Sequence, residues 1–248
     1  MDKALYTLMT GANRSLQAQA VFANNLANIN TVGFRGDLVD ARKIMIEDAG
    51  PDADYQGVEH DIDTKSDFTT GQIEQTGRVL DVAVASPGFI AVKAADGTEA
   101  YTRAGDLQLD SNGLLVTGRG DLVLGDGGPI SIPPAEKISI GIDGTISVQI
   151  LGQSAASLAQ IDRIKMVNPD SKDLIKGGDG LFRHELGKKI RADADVELRS
   201  GFVERSNVNA VSMLTKIIAT ARQFEMQVKT MKTVQENSES SARIMHMS

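Results

Sequence analysis

The residues of this 248-residue chain best equipped for chemistry are Glu59, Asp61 and Asp63, gathered around His60. Carboxylates and an imidazole at alternate positions could hold a hard cation or divide general acid and general base work between them. Too few apolar residues surround them to exclude water, so the run reads as a solvated, acidic stretch. Asp110-Ser111-Asn112-Gly113 opens like a calcium loop but lacks the third ligand spacing and the closing Glu, which predicts a hairpin turn instead. Gly118, Gly120, Gly125, Gly127 and Gly128 form no Gly-x-Gly-x-x-Gly run opening onto a helix and carry no Lys-Ser/Thr pair, so a phosphate cradle is missing. The three histidines, at 60, 184 and 246, never stand four apart, and no Gly-x-Ser-x-Gly elbow occurs. The chain has no Cys, which removes disulfides, thiolate zinc sites and cysteine nucleophiles. No enzymatic activity, cofactor or metal site is expected.

With 26 basic residues against 33 acidic ones, a net charge of −7, the chain has no broad positive field to gather phosphates, and nucleic acid is not expected as a partner. Apolar residues make up 41% and charged residues 24%, the balance of a folded protein with a real core. The longest apolar runs span only a few residues. The first twenty positions carry Asp2, Asn13, Arg14 and Gln17 where a secretion signal would be apolar, so neither a cleaved signal peptide nor a membrane span is expected.

Two kinds of patterning divide the chain. Leu5, Met9, Ala12, Leu16, Gln19, Ala23 and Leu26 follow alternating steps of four and three, a heptad stripe on one long helix. Leu214, Ile217, Ala221, Phe224, Val228 and Met231 repeat the alternation near the other end. Two one-sided stripes at opposite ends of a chain can pair with each other. Between them lie short segments rich in β-branched residues: Leu80–Val84, Phe89–Val92, Leu107–Leu109, Ile130–Ile132, Ile138–Ile140 and Ile146–Val148, with Ile161–Val167, Leu181–Phe182 and Val196–Leu198 beyond. Asp96-Gly97, Asn112-Gly113 and Asp143-Gly144 punctuate them as tight turns. The expected fold is α+β: long N- and C-terminal helices forming a coiled coil, with an inserted antiparallel all-β domain. The expected divisions are an N-terminal helix in 1–35, an extended acidic connector in 36–70, a β domain in 71–202 and a C-terminal helix in 203–248. Val21 and Phe22 fall off the first stripe, and Val211, Met213, Ile218 and Met226 off the second. Apolar residues beside a helix stripe, repeated in every copy, predict contacts with other subunits that need not close into a ring.

Three stretches carry a family resemblance. Ala23-Asn24-Asn25-Leu26-Ala27-Asn28-Ile29-Asn30-Thr31-Val32-Gly33-Phe34-Arg35 resembles the N-terminal signature of the bacterial flagellar rod, hook and hook-associated axial proteins. Gly88–Val92, Tyr101–Asp110 and Gly113–Val116 resemble the β domain shared by hook and rod proteins, with Leu107 where members more often have Phe. Glu204–Asn209, running into Ala221–Lys229, is similar to the C-terminal helix box. Within the family the opening Met1–Tyr6, the Gly11-Ala12 pair, the Arg222–Gln227 run and the terminal Met247-Ser248 look most like the proximal-rod members, with the distal rod as the nearest alternative. A secreted adhesin or effector displaying a β domain is a remoter one, and a wall-processing enzyme would need a carboxylate pair that is not evident.

The resemblance implies a structural, non-enzymatic subunit of the basal-body rod, located in the periplasm. It implies helices packing with copies of the chain and with other rod proteins, export through the flagellar type III apparatus, and no nucleic-acid partner. The residues expected to carry assembly are Leu5, Leu16, Val21, Phe22, Asn24, Asn25, Leu26, Asn28, Gly33 and Phe34 toward the N-terminus. Leu214, Ile217, Ile218, Phe224, Met226, Val228 and Met231 are their counterparts toward the C-terminus. Gly33 is expected to turn the backbone out of the first helix at positive φ, and Asn24, Asn25 and Asn28 to hydrogen-bond neighbouring subunits.

Overall fold

A computed structural model describes residues 2–41, 62–150 and 158–246. They fall into two compact units, one made of Met1–Ile29, Gly36–Asp67 and Val208–Ser248, the other of Asn30–Arg35 and Phe68–Asn207.

The first unit holds two helices, α1 (Asp2–Ala27) and α2 (Ala210–His246), and an antiparallel ladder of Asp37–Ala41 with Ile62–Ser66. Free of Pro and with Gly11 its only Gly, α1 runs unbroken until Asn28 and Ile29, whose amides reach back to Asn24, Asn25 and Leu26 and tighten the last turn. At the start of α2, Asn209 is the N-cap: its side-chain oxygen accepts from Ser212 N at 3.0 Å. The acidic run around Glu59, His60 and Asp61 lies outside the described residues.

The second unit is β. Its largest sheet orders strands Leu174–Lys176, Phe182–His184, Glu99–Thr102, Phe89–Lys93, Leu122–Gly125, Leu115–Thr117 and Leu107–Leu109, with Gly128–Pro129 and Met166–Val167 pairing at the sides. Ala135–Ile140, Thr145–Ile150 and Ala159–Arg163 form a separate three-stranded sheet. Val82–Val84 pairs with Leu198–Ser200, and Ile73–Gln75 with Phe202–Glu204. Every pairing in these sheets is antiparallel, and Val82, Ile90, Val92, Leu107, Leu115, Ile146 and Leu198 fill one core. Phe68, Phe89 and Phe182 meet in a second cluster, their ring centroids 5.3–6.1 Å apart. The three Asx-Gly turns form as expected, Gly97, Gly113 and Gly144 taking φ of +82°, +77° and +83°. In the middle one Asp110 spends its carboxylate on its own turn, accepting from Asn112 N at 2.8 Å and Leu114 N at 2.9 Å. Ile130–Ile132 forms no strand of its own, but a bridge from Ser131 to Leu114 and backbone bonds from Leu115 N to Ile130 O at 2.9 Å and from Ile132 N to Gly113 O at 2.8 Å hold it beside the sheet.

The fold-class expectation needs correcting. Two α-helices stand against eighteen antiparallel strands among the described residues, and the helices are not a coiled coil built on the heptad stripes. Stripe residues that should be inside are outside: Leu5 is 42% exposed, Met9 56%, Leu16 47%, Leu214 47% and Val228 43%. Among the described residues the buried side chains of the two helices are Ala12, the one buried member of the stripes, and Ser15, Asn25 and Thr220, which lie off them. Gly11 and Ser15 mark the difference. A Cβ on Gly11 would stand 2.9 Å from Gln227 Nε2, and Ser15 Oγ lies 3.2 Å from Gln227 Oε1. At this point small and polar groups, rather than leucine-sized knobs, make the contact between the two helices.

Candidate functional site

No single cleft gathers the expected residues; they divide between the helix pair and a knot of backbone and charge in the β unit. On the helices, Leu5, Leu16, Leu214, Ile218, Met226 and Val228 are exposed, and Val21, Phe22, Leu26, Ile217, Phe224 and Met231 are half-buried. Lys216 Nζ lies 5.5 Å from the Phe22 ring centroid. Asn24 is exposed, and its carbonyl accepts from Asn28 Nδ2 at 3.0 Å. Asn25 is different: 2% exposed, it grips the backbone of Asp37 at both ends, donating from Nδ2 to Asp37 O at 2.7 Å and accepting Asp37 N on Oδ1 at 2.8 Å. That two-point clamp mimics a strand pairing and starts the Asp37–Ala41 strand, so the Asn25 amide is spent inside the chain.

Gly33 and Phe34 are both buried in the β unit. Gly33 takes φ of +67°, and a Cβ there would lie under 3.0 Å from the backbone of Arg103 and Ala104. The expected positive φ is present, and so is a close approach that spacing could not reveal. Gly33 N donates to Glu204 O at 2.7 Å. Phe34 lies beneath Lys176, whose Nζ is 4.1 Å from the ring centroid and donates to Arg35 O at 2.7 Å.

Beside them is a charge cluster to which no role is expected from sequence. Glu204, fully buried, accepts Gly71 N at 2.7 Å and pairs with Arg35 Nη2 at 2.7 Å through Oε1, and accepts Arg103 Nη1 at 3.0 Å on Oε2. Arg103 also donates to Val84 O and Ser86 O, and its guanidinium lies 5.4 Å from the Phe89 ring centroid. Burial, which Glu204 opposes, pulls the Arg103 guanidinium below its ordinary range, and the Arg35 charge pulls the same way. Arg35 and Arg103 are each a lone charge among apolar or small neighbours, in Gly33-Phe34-Arg35 and Thr102-Arg103-Ala104, whereas Glu204 stands directly before Arg205. The lone charge is the signal that could have flagged the two arginines. With its lone pairs committed, Glu204 is unsuited to proton transfer. A surface groove of about 450 Å³ between the Asp96-Gly97 and Arg119-Gly120 turns offers no better candidate, since Asp96 is tied to Thr98 and Arg183. Among the described residues no three His, Asp or Glu side chains converge as metal ligands, and no helix is long and apolar enough to cross a membrane.

Residues 5–35 match the family described as flagella basal body rod protein, 83–148 the flagellar hook protein FlgE/F/G D1 domain, and 199–244 the flagellar basal body rod FlgEFG protein C-terminal region. The flagellar basal-body rod protein FlgF of Escherichia coli (strain K12) is 39% identical over 254 residues, covering 100% of both chains. The chain belongs to the flagellar basal-body rod protein family. FlgF of Salmonella typhimurium is likewise 39% identical over 100% of both chains, while the rod protein FlgG of Bacillus subtilis is 32% identical over 95% of this chain and 96% of its own. Among rod proteins this chain is thus most like FlgF. The three matched segments meet at one point of the rod protein's β unit: Arg35 closes the first, Arg103 lies in the second and Glu204 in the third.

Proposed function

We propose that the outward apolar residues of α1 and α2 are the surface through which this structural subunit of the flagellar basal-body rod joins copies of itself and other rod proteins. The observation that carries the proposal is the apolar surface the helices leave uncovered: Leu5, Met9, Leu16, Val211, Leu214, Ile218 and Met226 are exposed. Apolar side chains repeated along two helices gain on the order of 25 cal/mol for each Å² they lose to a partner. Joined helices would form the drive shaft and surround an export channel. In this reading residues 1–35 and 203–248 supply the assembling part, 71–202 a β domain and 36–70 the connection. The rod-family membership supports a place in the periplasmic part of the basal body, the flagellar export apparatus as a transient partner, and a mechanical role with no reaction. The end-to-end match to FlgF proteins favours the proximal rod, with a FlgG-like place in the distal rod as the second reading.

Ile218→Glu/Met226→Glu tests this. Each change places a charge on an exposed position, so the purified chain should keep its fold by circular dichroism. In cells lacking the native protein, the variant should restore neither rod completion nor swimming. Normal motility would sink the proposal.

A further inference from the structure

Three stretches remote in sequence converge on the Glu204 carboxylate and its backbone. From the N-terminal side come Gly33 N, bonded to Glu204 O, and Arg35, paired with Oε1. Gly71 N bonds the same oxygen, and Gly71 lies so close to Arg205 O that a Cβ would collide with it. Arg103 supplies the third side. On the other flank Arg205 N donates to Gln72 O at 2.8 Å and Asn207 Nδ2 to Thr69 O at 3.1 Å.

We propose that Glu204 is the positioning residue for segment 30–35, which takes its docked form only when the 203–207 segment is in place. The cluster contains two guanidinium groups and one carboxylate, and among the described residues Glu204 is the one carboxylate that pairs with either. Arg35 is 1% exposed and Arg103 5%. Without the carboxylate, two cations would sit together in an apolar interior, an arrangement proteins avoid by moving one of them out. Their anchorage decides which moves. Arg103 keeps the carbonyls of Val84 and Ser86 and belongs to a chain stretch leading out of the sheet. Arg35 has Glu204 as its side-chain partner, and its Nε and Nη1 donate to nothing among the described residues. Segment 30–35 is therefore the part that yields, leaving the Lys176 bond to Arg35 O as a remaining tether. A chain that is incomplete before residue 204 would carry an undocked N-terminal box, which makes the form of that box conditional on the far end of the chain. The inference stands whether or not the helices assemble as proposed above.

Residue-resolved amide exchange on the full chain tests it. In Glu204→Gln, which preserves shape, exchange at Gly33 and Phe34 should rise at least about 10-fold while Ile90, Val92 and Val123 in the sheet hold their wild-type protection. In Arg35→Met, where the Arg103–Glu204 pair remains whole, the Arg205 amide should stay protected. The double variant Arg35→Met/Glu204→Gln removes the stray cation from the segment, and protection at Gly33 should return toward wild type. Unchanged protection at Gly33 in Glu204→Gln overturns the proposal. So does loss of protection throughout the sheet, which would make Glu204 a general structural residue. A double variant as open as Glu204→Gln alone would show that charge is not what orders the segment.

Discussion

Replacing Gly33 by Ala, and comparing the result with Gly77→Ala, separates two effects that a single substitution confounds. Both glycines are left-handed, at φ +67° and +74°, so an alanine at either carries the same conformational penalty, about 1 kcal/mol. Their surroundings differ. A Cβ at Gly77 has nothing within 4 Å, whereas at Gly33 it meets the backbone of Arg103 and Ala104 under 3.0 Å away. Backbone atoms of a packed unit cannot swing aside as a side chain would, so residues 33–35 must shift. That shift breaks the Gly33 N to Glu204 O bond, worth about 1 kcal/mol, and draws Arg35 from its carboxylate, adding roughly 1–3 kcal/mol for imperfectly paired buried charge. Gly33→Ala should thus lose at least about 3 kcal/mol against about 1 kcal/mol for Gly77→Ala. Urea unfolding followed by circular dichroism measures both, with the slope m checked for constancy. If the two variants agreed within about 0.5 kcal/mol, the close approach would be irrelevant and the reasoning refuted.

Two further outcomes concern protons. Burial raises the Asp106 carboxyl above its ordinary range and the neighbouring Asp81 charge adds to the effect, while Arg78 and the Gly118 amide oppose it. An acid whose folded pKa is raised holds its proton more tightly when folded, so its ionisation weakens the fold as pH climbs through that raised value. Asp106→Asn should therefore raise the melting temperature at pH 7, on the order of 2 °C, with the gap closing as pH falls toward 4; a lower melting temperature at pH 7 would contradict it. The Tyr101 hydroxyl, buried and hydrogen-bonded to Ile190 N and Glu99, is pushed up to about 12, chiefly by burial. Unfolded tyrosine ionises near pH 10, so the fold should lose stability between pH 10 and 12, and Tyr101→Phe should flatten that loss; ionisation of all three tyrosines near pH 10 in the native protein would refute this.

What sequence makes legible here is local. Asp96-Gly97, Asn112-Gly113 and Asp143-Gly144 were readable because the turn is determined by the two residues that form it, and α1 and α2 because apolar spacing and the absence of Pro act over a few turns. Spacing says which residues share a face, not which way the face points. Leu5, Leu16 and Leu214 do line a stripe, yet all three are exposed, while Gly11 and Ser15 meet Gln227 in a contact that spacing does not reveal. The Asn25 clamp on Asp37 hides for a related reason: an Asn on a helix face looks like any solvated polar until its partner strand is known. Arg35, Arg103 and Glu204 stand inside the family-like boxes with no role legible there, because burial of a charge depends on a partner far along the chain.

Why the knot is built of charge rather than of leucine follows from the same distances. Apolar residues of equal volume could fill the space around Glu204 with little loss of stability, since buried ion pairs rarely outweigh the desolvation they require. Apolar groups, however, tolerate sliding; a Leu shifted by 1 Å still touches neighbours. Glu204 does not tolerate it, because its two oxygens serve Gly71, Arg35 and Arg103 at 2.7–3.0 Å, and displacement of any one leaves a buried cation or carboxylate poorly matched. Glycine at 33 and 71 acts to the same end by admitting backbone where no side chain fits. The arrangement therefore favours one register of residues 30–35 against 203–207 and penalises its neighbours. If copies of the chain join as proposed, uniqueness of that register matters more than additional stability, since every copy must be alike.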